Sequence, residues 1–516
     1  MPVQAAPAAG RRPDGEVWRV TLTRRDLIKM GVLVSGAVAL PLERTVSALT
    51  TGTNQIAESA LPKPFTIPFA VPPTLRPVRR TATTDFFKIA MRPFEADVIP
   101  GYKTVMWGYN SSYPGPTINA DVGRRTVIRH LNQLPPVHPV LKYKPYTSVH
   151  LHGMPSLPPY DGYASDITNP GWYKDYIYPN THPASTFWYH DHGVQHTAEN
   201  VSMGLVAQYH LHDALERSLP IPHGAFGNVF LVNGRPWPLM KVHQRKYRFR
   251  LLNASVSRSY RFELDSGTPF TMIATDAGLM PHPVDVTSFR VGMAERYEFV
   301  LDFSKFPVGR HIVMRNVSPK NNIDFTNTDK VMAFEVVGGT FDTRNNAVPD
   351  SLNPQNETML LKQSQSVITR PQELKRTNGQ WTIDGFTWED VVASNFKFCL
   401  AKPVTKTVEI WELSNPHGGW FHPVHIHLID FRVLDRNGRP PFAYERGPKD
   451  VVYVGENETV RVLIKFRGRG RYMTHCHNLV HEDHDMMGQF DVIDPNHAEL
   501  SPFARPAKPL PEKTQL

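Results

Sequence analysis

Short segments in which apolar and polar residues alternate, separated by turn-forming residues, recur along most of the chain. Three of them are residues 126–131 (TVIRHL), 297–303 (YEFVLDF) and 459–466 (TVRVLIKF). A period of two is typical of β-strands with one buried face, and few long segments have the 3.6-residue period of an amphipathic helix. The 47 prolines and 33 glycines among the 516 residues add frequent turn signals. We therefore predict an all-β protein made of β-sandwiches.

The length and the turn-rich segments predict how the strands divide into domains. A chain of 516 residues suggests about three domains. Residues 338–357 are rich in turn formers and would link the second domain to the third. We predict sandwiches at residues 76–213, 219–338 and 358–497, preceded by a Pro-rich arm at residues 49–75 that wraps the first of them.

Residues 1–48 resemble an export signal. The sequence TRRDLIK at residues 23–29 precedes a short apolar stretch at residues 30–42, which is the order found in twin-arginine signals. Residues 46–48 (VSA) offer a cleavage site. We expect export by this route to the periplasm, the cell wall or the surrounding medium. No membrane span is predicted, because no segment reaches the 18 or so apolar residues that one requires.

The charge balance and the cysteine count narrow the function classes. The net charge is +9, but no stripe of basic and aromatic residues indicates a nucleic-acid partner. The chain has two cysteines, and one of them lies in the motif described next, so no disulfide is expected. The other, Cys399 in FKFCLAK, is predicted to be a buried strand thiol that packs as a small apolar side chain.

The sequence HCHNLVHEDHDMM near the C-terminus carries the strongest chemical signal. If it begins as a strand, Cys476 points to one face while His475 and His477 point to the other. One metal could then bind the thiolate and other metals the imidazoles, with few covalent bonds between them. His481 and Met486 follow closely and complete a set of thiolate, imidazole and weak thioether, which suits blue copper.

Three further motifs contain histidines two residues apart. In an extended segment this spacing places both imidazoles on one face, where they can serve one metal cluster. A fourth pair, His210 and His212 in YHLHD, lies near a predicted domain end, and we predict a structural role for it. Zinc is a poor alternative, because structural zinc sites are closed, four-coordinate and often rich in cysteine. The three motifs are HLHG with His150 and His152, WYHDH with His190 and His192, and HPVHIH with His422, His425 and His427.

In order and in type, the four motifs resemble the copper-binding motifs of the multicopper oxidases. The resemblance covers nearly all of the chain after residue 60 and is strongest to the branch of bilirubin oxidases and bacterial spore-coat laccases. Besides the motif around Cys476, it rests on residues 245–260 (RKYRFRLLNASVSRSY), 447–460 (GPKDVVYVGENETV) and 420–422 (WFH).

The resemblance implies four copper ions, each with ligands at matching positions of this chain. The type 2 copper and the type 3 pair would lie between the first and third domains. The implied ligands are His422, Cys476, His481 and the axial Met486 for the type 1 copper; His150 and His425 for the type 2 copper; and His152, His190, His192, His427, His475 and His477 for the type 3 pair.

The resemblance also implies a fold and an activity. The fold is three cupredoxin-like Greek-key β-sandwich domains, of which the middle one, without a candidate ligand, would be a scaffold. The activity is one-electron oxidation of phenolic, aromatic amine or bilirubin-like donors, coupled to four-electron reduction of dioxygen to water. Dioxygen and small organic electron donors are the expected partners of a monomeric chain. The segment between His212 and Val232 is shorter than in relatives, which questions whether the middle sandwich is complete.

Four residues are candidates for proton supply and donor contact. Glu482, next to His481, and Asp161, in PPYDGY, match places where acidic residues of similar enzymes assist oxygen reduction. For Asp161 an ordinary turn is the equal alternative, since Asp-Gly is a common turn dipeptide. His422 is predicted to be the exposed type 1 ligand, and Trp420 could stack on an aromatic donor or simply pack.

Three other functions remain open at this point. A cuprous or other metal oxidase is one, although its relatives often carry a Met-rich insert and the 16 methionines here are scattered. A copper nitrite reductase is disfavoured by the predicted three domains and four motifs. A non-catalytic cupredoxin-fold scaffold would have lost ligands, whereas every expected ligand is present here.

Overall fold

Strands are the main regular structure of the computed structural model, and its helices are short. The structure describes residues 61–220, 231–318 and 327–497, together with residue 59 and the short strands at residues 8–11, 17–20, 225–227 and 508–509. The strands form three pairs of sheets that follow one another along the chain. The predicted all-β class is confirmed.

The first pair of sheets contains most of the strands before residue 213. One sheet has the order β6-β11-β10-β8, and the other has the order β3-β4-β7-β9-β33 with β5 paired to β4. A separate hairpin, β1 (Ala8–Arg11) and β2 (Val17–Val20), precedes them. The strands are β3 (Arg79–Arg80), β4 (Thr84–Ile99), β5 (Tyr102–Tyr109), β6 (Ile118–Asp121), β7 (Arg125–Asn132), β8 (Val149–His152), β9 (Trp172–Tyr178), β10 (Ser185–Asp191), β11 (Val206–His212) and β33 (Lys508–Pro509).

The second pair consists of two five-stranded sheets, with orders β12-β16-β21-β18-β19 and β15-β23-β22-β17-β20. Residues 221–224 and 228–230, in the shortened segment, lie outside the described residues. The strands are β12 (Ala225–Gly227), the short pair β13 (Leu231–Val232) and β14 (Arg235–Pro236), β15 (Leu239–Val242), β16 (Lys246–Leu252), β17 (Tyr260–Leu264), β18 (Phe270–Thr275), β19 (Gly278–Val286), β20 (Ser288–Val291), β21 (Arg296–Asp302), β22 (His311–Asn316) and β23 (Lys330–Val336).

The third pair has the orders β25-β24-β26-β30-β28 and β29-β27-β31-β32. Short helices lie between strands along the chain: α1 (Thr197–Met203), α2 (Ala214–Ser218), α3 (Glu357–Leu360), α4 (Trp388–Ala393) and α5 (Leu479–Asp483). The strands are β24 (Ser366–Thr377), β25 (Gln380–Ile383), β26 (Val408–Asn415), β27 (His422–Ile426), β28 (Phe431–Arg436), β29 (Val451–Val454), β30 (Glu458–Lys465), β31 (Gly470–Cys476) and β32 (Met487–Val492).

The period-two pattern explains which side chains enter the cores. On β17, Tyr260, Phe262 and Leu264 are buried, whereas the intervening Arg261 and Glu263 are exposed. Each pair of sheets encloses its own large apolar cluster between the two inner faces. The sandwiches therefore follow from alternating strands that bury one face each.

The Pro-rich segment before β3 contacts two sandwiches. The backbone N–H groups of Phe65 and Phe69 donate to the carbonyl oxygens of Trp237 and Leu239 in the middle sandwich, at 2.8 and 3.0 Å. Farther along, the Leu75 N–H donates to a carbonyl of the first sandwich. The described part of this arm thus runs across the middle sandwich as well as the first.

The predicted signal motif at residues 23–29, its apolar stretch and its cleavage site lie outside the described residues. Within the part of the chain that the structure describes, no helix has the length and apolarity needed to cross a membrane.

The prediction for Cys399 is wrong in two respects. The residue follows α4 in a segment without regular structure, and its side chain is only partly buried. The apolar side chains of FKFCLAK pack against the protein although this segment is a loop and not a strand. The alternation in the sequence was therefore misleading there.

One buried histidine of the first sandwich forms no hydrogen bond through its ring nitrogens among the described residues. His130, on β7, has no hydrogen-bond partner for either ring nitrogen among the described residues. The rings of Tyr176, Tyr109 and Tyr189 surround it at centroid distances of 5.5, 5.8 and 6.0 Å. Burial in this aromatic cage lowers the pKa of His130 to about 3.

We expect His130→Phe to reduce the loss of stability in mild acid. The unfolded chain binds a proton at this histidine below its ordinary pKa of about 6.5, and the folded chain does so only near pH 3. Its contribution to stability is therefore full above pH 6.5 and falls as the pH falls, by about 2 kcal/mol at pH 5. Urea unfolding at pH 7.5 and pH 5 should show a smaller difference for the variant. The exposed control His311→Gln should behave as wild type, and parallel losses in all three proteins would contradict the expectation.

Candidate metal centre

Strand β31 separates two groups of candidate ligands, as its alternation predicts. Cys476 ends β31 and is packed in the apolar core of the third sandwich. Its neighbours His475 and His477 point away from that core, toward histidines of the first sandwich. A thiol centre and an imidazole cluster therefore lie on opposite sides of one short backbone segment.

The thiol centre gathers three nitrogen and sulfur ligands in a dry environment. The Sγ atom of Cys476 lies 3.4 Å from Nδ1 of His422 and 3.6 Å from Nδ1 of His481. Met486 is fully buried in the same core, and its carbonyl accepts a hydrogen bond from the Cys476 N–H at 3.1 Å. Burial raises the pKa of the Cys476 thiol and lowers that of His422 to about 3. A soft cation would offset the unfavourable burial of the thiolate, which fits copper.

A short helix fixes His481 at this centre. Asn478 caps α5 by accepting a hydrogen bond from the Val480 N–H at 3.2 Å, and its Nδ2 lies 3.3 Å from Nε2 of His481. With Nε2 facing the cap, Nδ1 is the ring nitrogen that faces the sulfur.

The prediction that His422 is an exposed ligand is wrong. Only 1% of this residue is exposed, because two tryptophans cover the thiol centre. Trp381, on β25, stacks on His481 at a centroid distance of 4.0 Å and lies edge-on to His422 at 5.5 Å. Trp420 meets His481 edge-on at 5.1 Å and is partly exposed. Trp381 was missed because a single tryptophan in a hairpin has no motif that marks it.

All eight histidines predicted for the larger cluster come together between the first and third sandwiches. Strands β8 and β10 pair with His150 opposite His190, and strands β27 and β31 pair with His425 opposite His475. All eight are buried. Their ligand atoms form three compact groups: His150 with His152 and His425; His152 with His190 and His477; and His192 with His427 and His475.

The ring nitrogens of this cluster are arranged as in a metal site. Nδ1 of His190 and Nδ1 of His425 bond to backbone carbonyls at 2.7 and 2.8 Å. The opposite Nε2 atoms of these residues, and Nε2 of His150, are buried and have no hydrogen-bond partner among the described residues. Burial lowers the pKa of all three, so the rings are neutral. Neutral imidazoles that bond outward and leave inward lone pairs unpaired are ready to bind metal ions.

Asp161 lies buried at the cluster and not on the surface, although it also stands in the Asp-Gly turn that the sequence predicts. Only 2% of it is exposed, and its Oδ2 accepts a hydrogen bond from Nδ1 of His427 at 2.7 Å, while its carbonyl contacts Nδ1 of His150. Burial raises the pKa of Asp161 well above its ordinary value. The following Gly162 has φ +79°, and a Cβ there would lie 2.5 Å from the Val149 carbonyl. The Asp-Gly turn thus presses this carboxylate against β8.

Glu482 contacts the other side of the cluster. Its Oε2 lies 3.0 Å from Nδ1 of His475, and its Oε1 lies 3.6 Å from Nε2 of His192. Burial acts to raise the pKa of Glu482, but the neighbouring imidazoles outweigh it and lower the value to about 2. The two predicted acidic residues therefore bracket the histidines.

The fourth histidine pair is held by structural contacts. His210 Nε2 lies 2.6 Å from Oε1 of Gln208, and His212 Nδ1 lies 3.0 Å from Oε2 of Glu216. Neither belongs to a group of candidate ligands among the described residues. Spacing alone therefore did not identify ligands in this chain.

Sequence comparisons agree with this arrangement. Models of the multicopper oxidase family match residues 94–215, 188–338 and 363–496. Bilirubin oxidase from Albifimbria verrucaria is 38% identical over 484 residues, covering 83% of this chain and 81% of the relative. Laccase from Bacillus subtilis is 30% identical, covering 83% of this chain and 98% of the relative.

Solved structures give the same result. The crystal structure of laccase from Pediococcus acidilactici superposes with a TM-score of 0.73 at 26% identity, covering 84% of this chain and 95% of that one. The chain belongs to the multicopper oxidase family. The predicted family, the cupredoxin-like β-sandwich fold and the enzyme class, a copper-dependent oxidoreductase that uses oxygen, are confirmed.

We expect Gly162→Ala to weaken copper binding at the histidine cluster. The new methyl group would combine left-handed strain with a backbone clash, and it would displace Asp161 and the start of β8. The control is Gly171→Ala, which has a similar φ of +80° but no atom within 4 Å of the added Cβ. Copper per chain, measured after dialysis against a chelator, should fall only for Gly162→Ala; equal values in both variants would contradict the expectation.

Proposed function

We propose that this protein is an exported oxidase with four coppers: one type 1, one type 2 and a type 3 pair. It couples one-electron oxidation of phenolic, aromatic amine or bilirubin-like donors to the reduction of dioxygen to water. The observation that carries the proposal is the position of Cys476, which joins a thiol centre to a cluster of eight histidines through its two neighbours in the sequence.

The grouping of ligand atoms supports the assignment of the individual coppers. The type 1 copper is assigned to His422, Cys476 and His481 with axial Met486. All three histidine groups draw on both sandwiches. The group of His152, His190 and His477 and the group of His192, His427 and His475 are assigned to the type 3 pair, and the buried Nε2 atoms of His150 and His425 to the type 2 copper. Copper at these positions would supply one-electron transfer and the binding and reduction of dioxygen.

The chain itself contributes a covalent path for electrons between the two centres and carboxylates that can hold protons beside the histidines. The backbone on either side of Cys476 gives a continuous covalent path from the sulfur to His475 and His477. The two carboxylates contact imidazoles from opposite sides: Asp161 accepts a hydrogen bond from His427, and Glu482 lies 3.0 Å from Nδ1 of His475. Asp161 Oδ1 is buried without a hydrogen-bond partner among the described residues, so it can hold a proton beside the cluster.

The donor class rests on the surface around the tryptophans. Since His422 and His481 are buried, an organic donor would meet the thiol centre through Trp420, the partly exposed ring of the pair. Its aromatic face suits a planar donor. The names of the two relatives, a bilirubin oxidase and a laccase, support donors of these kinds.

The export route and the oligomeric state are part of the proposal. The order of twin arginines, Lys29 and the apolar stretch in residues 23–42 supports a twin-arginine signal. A monomer is the simplest arrangement, because one chain supplies every proposed ligand.

We expect Cys476→Ser to lose the blue absorption and the oxidation of every donor while the histidine cluster keeps its copper. Serine oxygen is a poor replacement for a thiolate, whereas the imidazole groups do not involve the sulfur. Visible spectra, copper content and oxygen uptake with bilirubin and with a simple phenol measure this. Cys399→Ser is the control and should match wild type. Blue colour retained by Cys476→Ser would overturn the assignment.

We expect Trp420→Ala to raise KM for bilirubin about tenfold, equivalent to about 1.4 kcal/mol of lost stacking, and to change KM for a small phenol much less. The larger planar donor has more surface to place on the indole. Steady-state kinetics with both donors on one enzyme preparation test this. Equal changes for the two donors would mean that Trp420 only packs.

A further inference from the structure

We propose that the middle sandwich positions the copper cluster through Arg296, which holds Asp450 so that this one residue fixes a histidine of each outer sandwich. The inference rests on the proposed four-copper function. It gives the middle sandwich, none of whose described residues belongs to a group of candidate ligands, a direct role at the cluster.

Arg296 and Asp450 form a fully buried, bidentate ion pair. Nη1 of Arg296 donates to Oδ1 of Asp450 at 2.6 Å, and Nη2 donates to Oδ2 at 2.5 Å. The two side chains are 0% and 1% exposed. A planar guanidinium that meets both carboxylate oxygens fixes the orientation of the carboxylate, which a single contact would not do.

Asp450 in turn contacts two cluster histidines. Its Oδ1 lies 3.2 Å from Nε2 of His152, on β8 of the first sandwich, and its carbonyl lies 2.8 Å from Nδ1 of His425, on β27 of the third. The two imidazoles stack at a centroid distance of 3.7 Å. Their other nitrogens, Nδ1 of His152 and Nε2 of His425, are buried without hydrogen-bond partners among the described residues. Asp450 thereby selects which nitrogen each ring offers to a metal.

Arg296 is itself anchored by all three sandwiches. Its backbone N–H donates to Oδ1 of Asp276 at 2.7 Å in the middle sandwich, and its Nε donates to the Thr186 carbonyl at 3.0 Å in the first. Oδ2 of Asp276 also accepts from the N–H groups of Asp450 and Val451 at 3.2 Å. A shift of the middle sandwich would therefore move the residue that orients both histidines.

A glycine next to the ligands leaves room for the pair. Gly153 follows His152 directly, with φ +92°. A Cβ at this position would lie 2.7 Å from Nη2 of Arg296 and 2.7 Å from Oδ2 of Asp450. The glycine of the HLHG motif thus allows the chain at the end of β8 to approach the Arg296–Asp450 ion pair closely.

Positioning explains this pair better than stability alone. A buried ion pair contributes little net stability, because desolvation of both charges offsets their attraction. Removing one partner leaves an uncompensated charge, and here that charge would sit against His152. The carboxylate would then reorient, and the ligand set of two coppers would lose its alignment.

The test compares Arg296→Met and Arg296→Lys with Arg250→Met in the full-length protein. Arg250 is a matched control: it is also buried in the middle sandwich, and it bonds Thr186, Glu216 and Glu298 but not Asp450. Cluster copper affinity is measured by chelator competition, type 2 copper by electron paramagnetic resonance, and type 1 copper by blue absorbance.

We expect Arg296→Met to bind cluster copper about 10- to 100-fold more weakly and to alter the type 2 spectrum, with the blue absorbance unchanged. Arg296→Lys should be intermediate, because one ammonium cannot span both oxygens of Asp450 and also reach Thr186. Arg250→Met should lower thermal stability while it keeps wild-type copper affinity.

Wild-type affinity and spectra in Arg296→Lys, or equal copper loss in Arg250→Met, would overturn the inference. If Arg296→Met does not fold, the lysine variant decides by the same readouts. A wild-type protein that binds no copper would instead overturn the proposed function, and this inference with it.

Discussion

The structure depends on keeping eight imidazoles buried in one small space with several lone pairs unpaired. A buried polar atom without a hydrogen bond costs about 1–3 kcal/mol, so these nitrogens together oppose folding. Metal ions that accept the lone pairs reverse the sign of that contribution. The three sandwiches, each with its own apolar core, supply the stability that holds these unpaired nitrogens in place before a metal ion binds.

The cluster is shared, so its geometry depends on how the sandwiches meet. Register within β8 and β10, and within β27 and β31, places histidines opposite one another inside each sandwich. Register cannot set the distance between sandwiches. Buried polar contacts that cross the interfaces can set that distance, among them the hydrogen bond that Asp161 accepts from His427 and the ion pair of Arg296 with Asp450. Directional contacts at these points fix what apolar packing leaves adjustable.

Local sequence could predict which way the candidate ligands on each strand face, because that geometry is local. Alternation along a strand places His475 and Cys476 on opposite faces whatever the rest of the chain does. The burial of His422 and Asp161 could not be read in this way, because it depends on Trp381 and on a turn pressed against β8. The pairing of Arg296 with Asp450 joins residues 154 positions apart and has no motif. The loop around Cys399 could not be predicted from local sequence either, because its alternating pattern did not form a strand.

Burial of the thiol centre determines how a donor can reach it. With His422 covered, a donor outside the protein is separated from the sulfur by at least the covering indoles and one imidazole. Close packing there excludes water, which keeps the thiol environment apolar and its ligands rigid. The partly exposed Trp420 lies edge-on to His481, and the buried Trp381 stacks on it, so under the proposed function Trp420 would give access to the centre and Trp381 would shield it. Donor selectivity is therefore expected to depend on the shape of the surface around Trp420 rather than on the ligands beneath it.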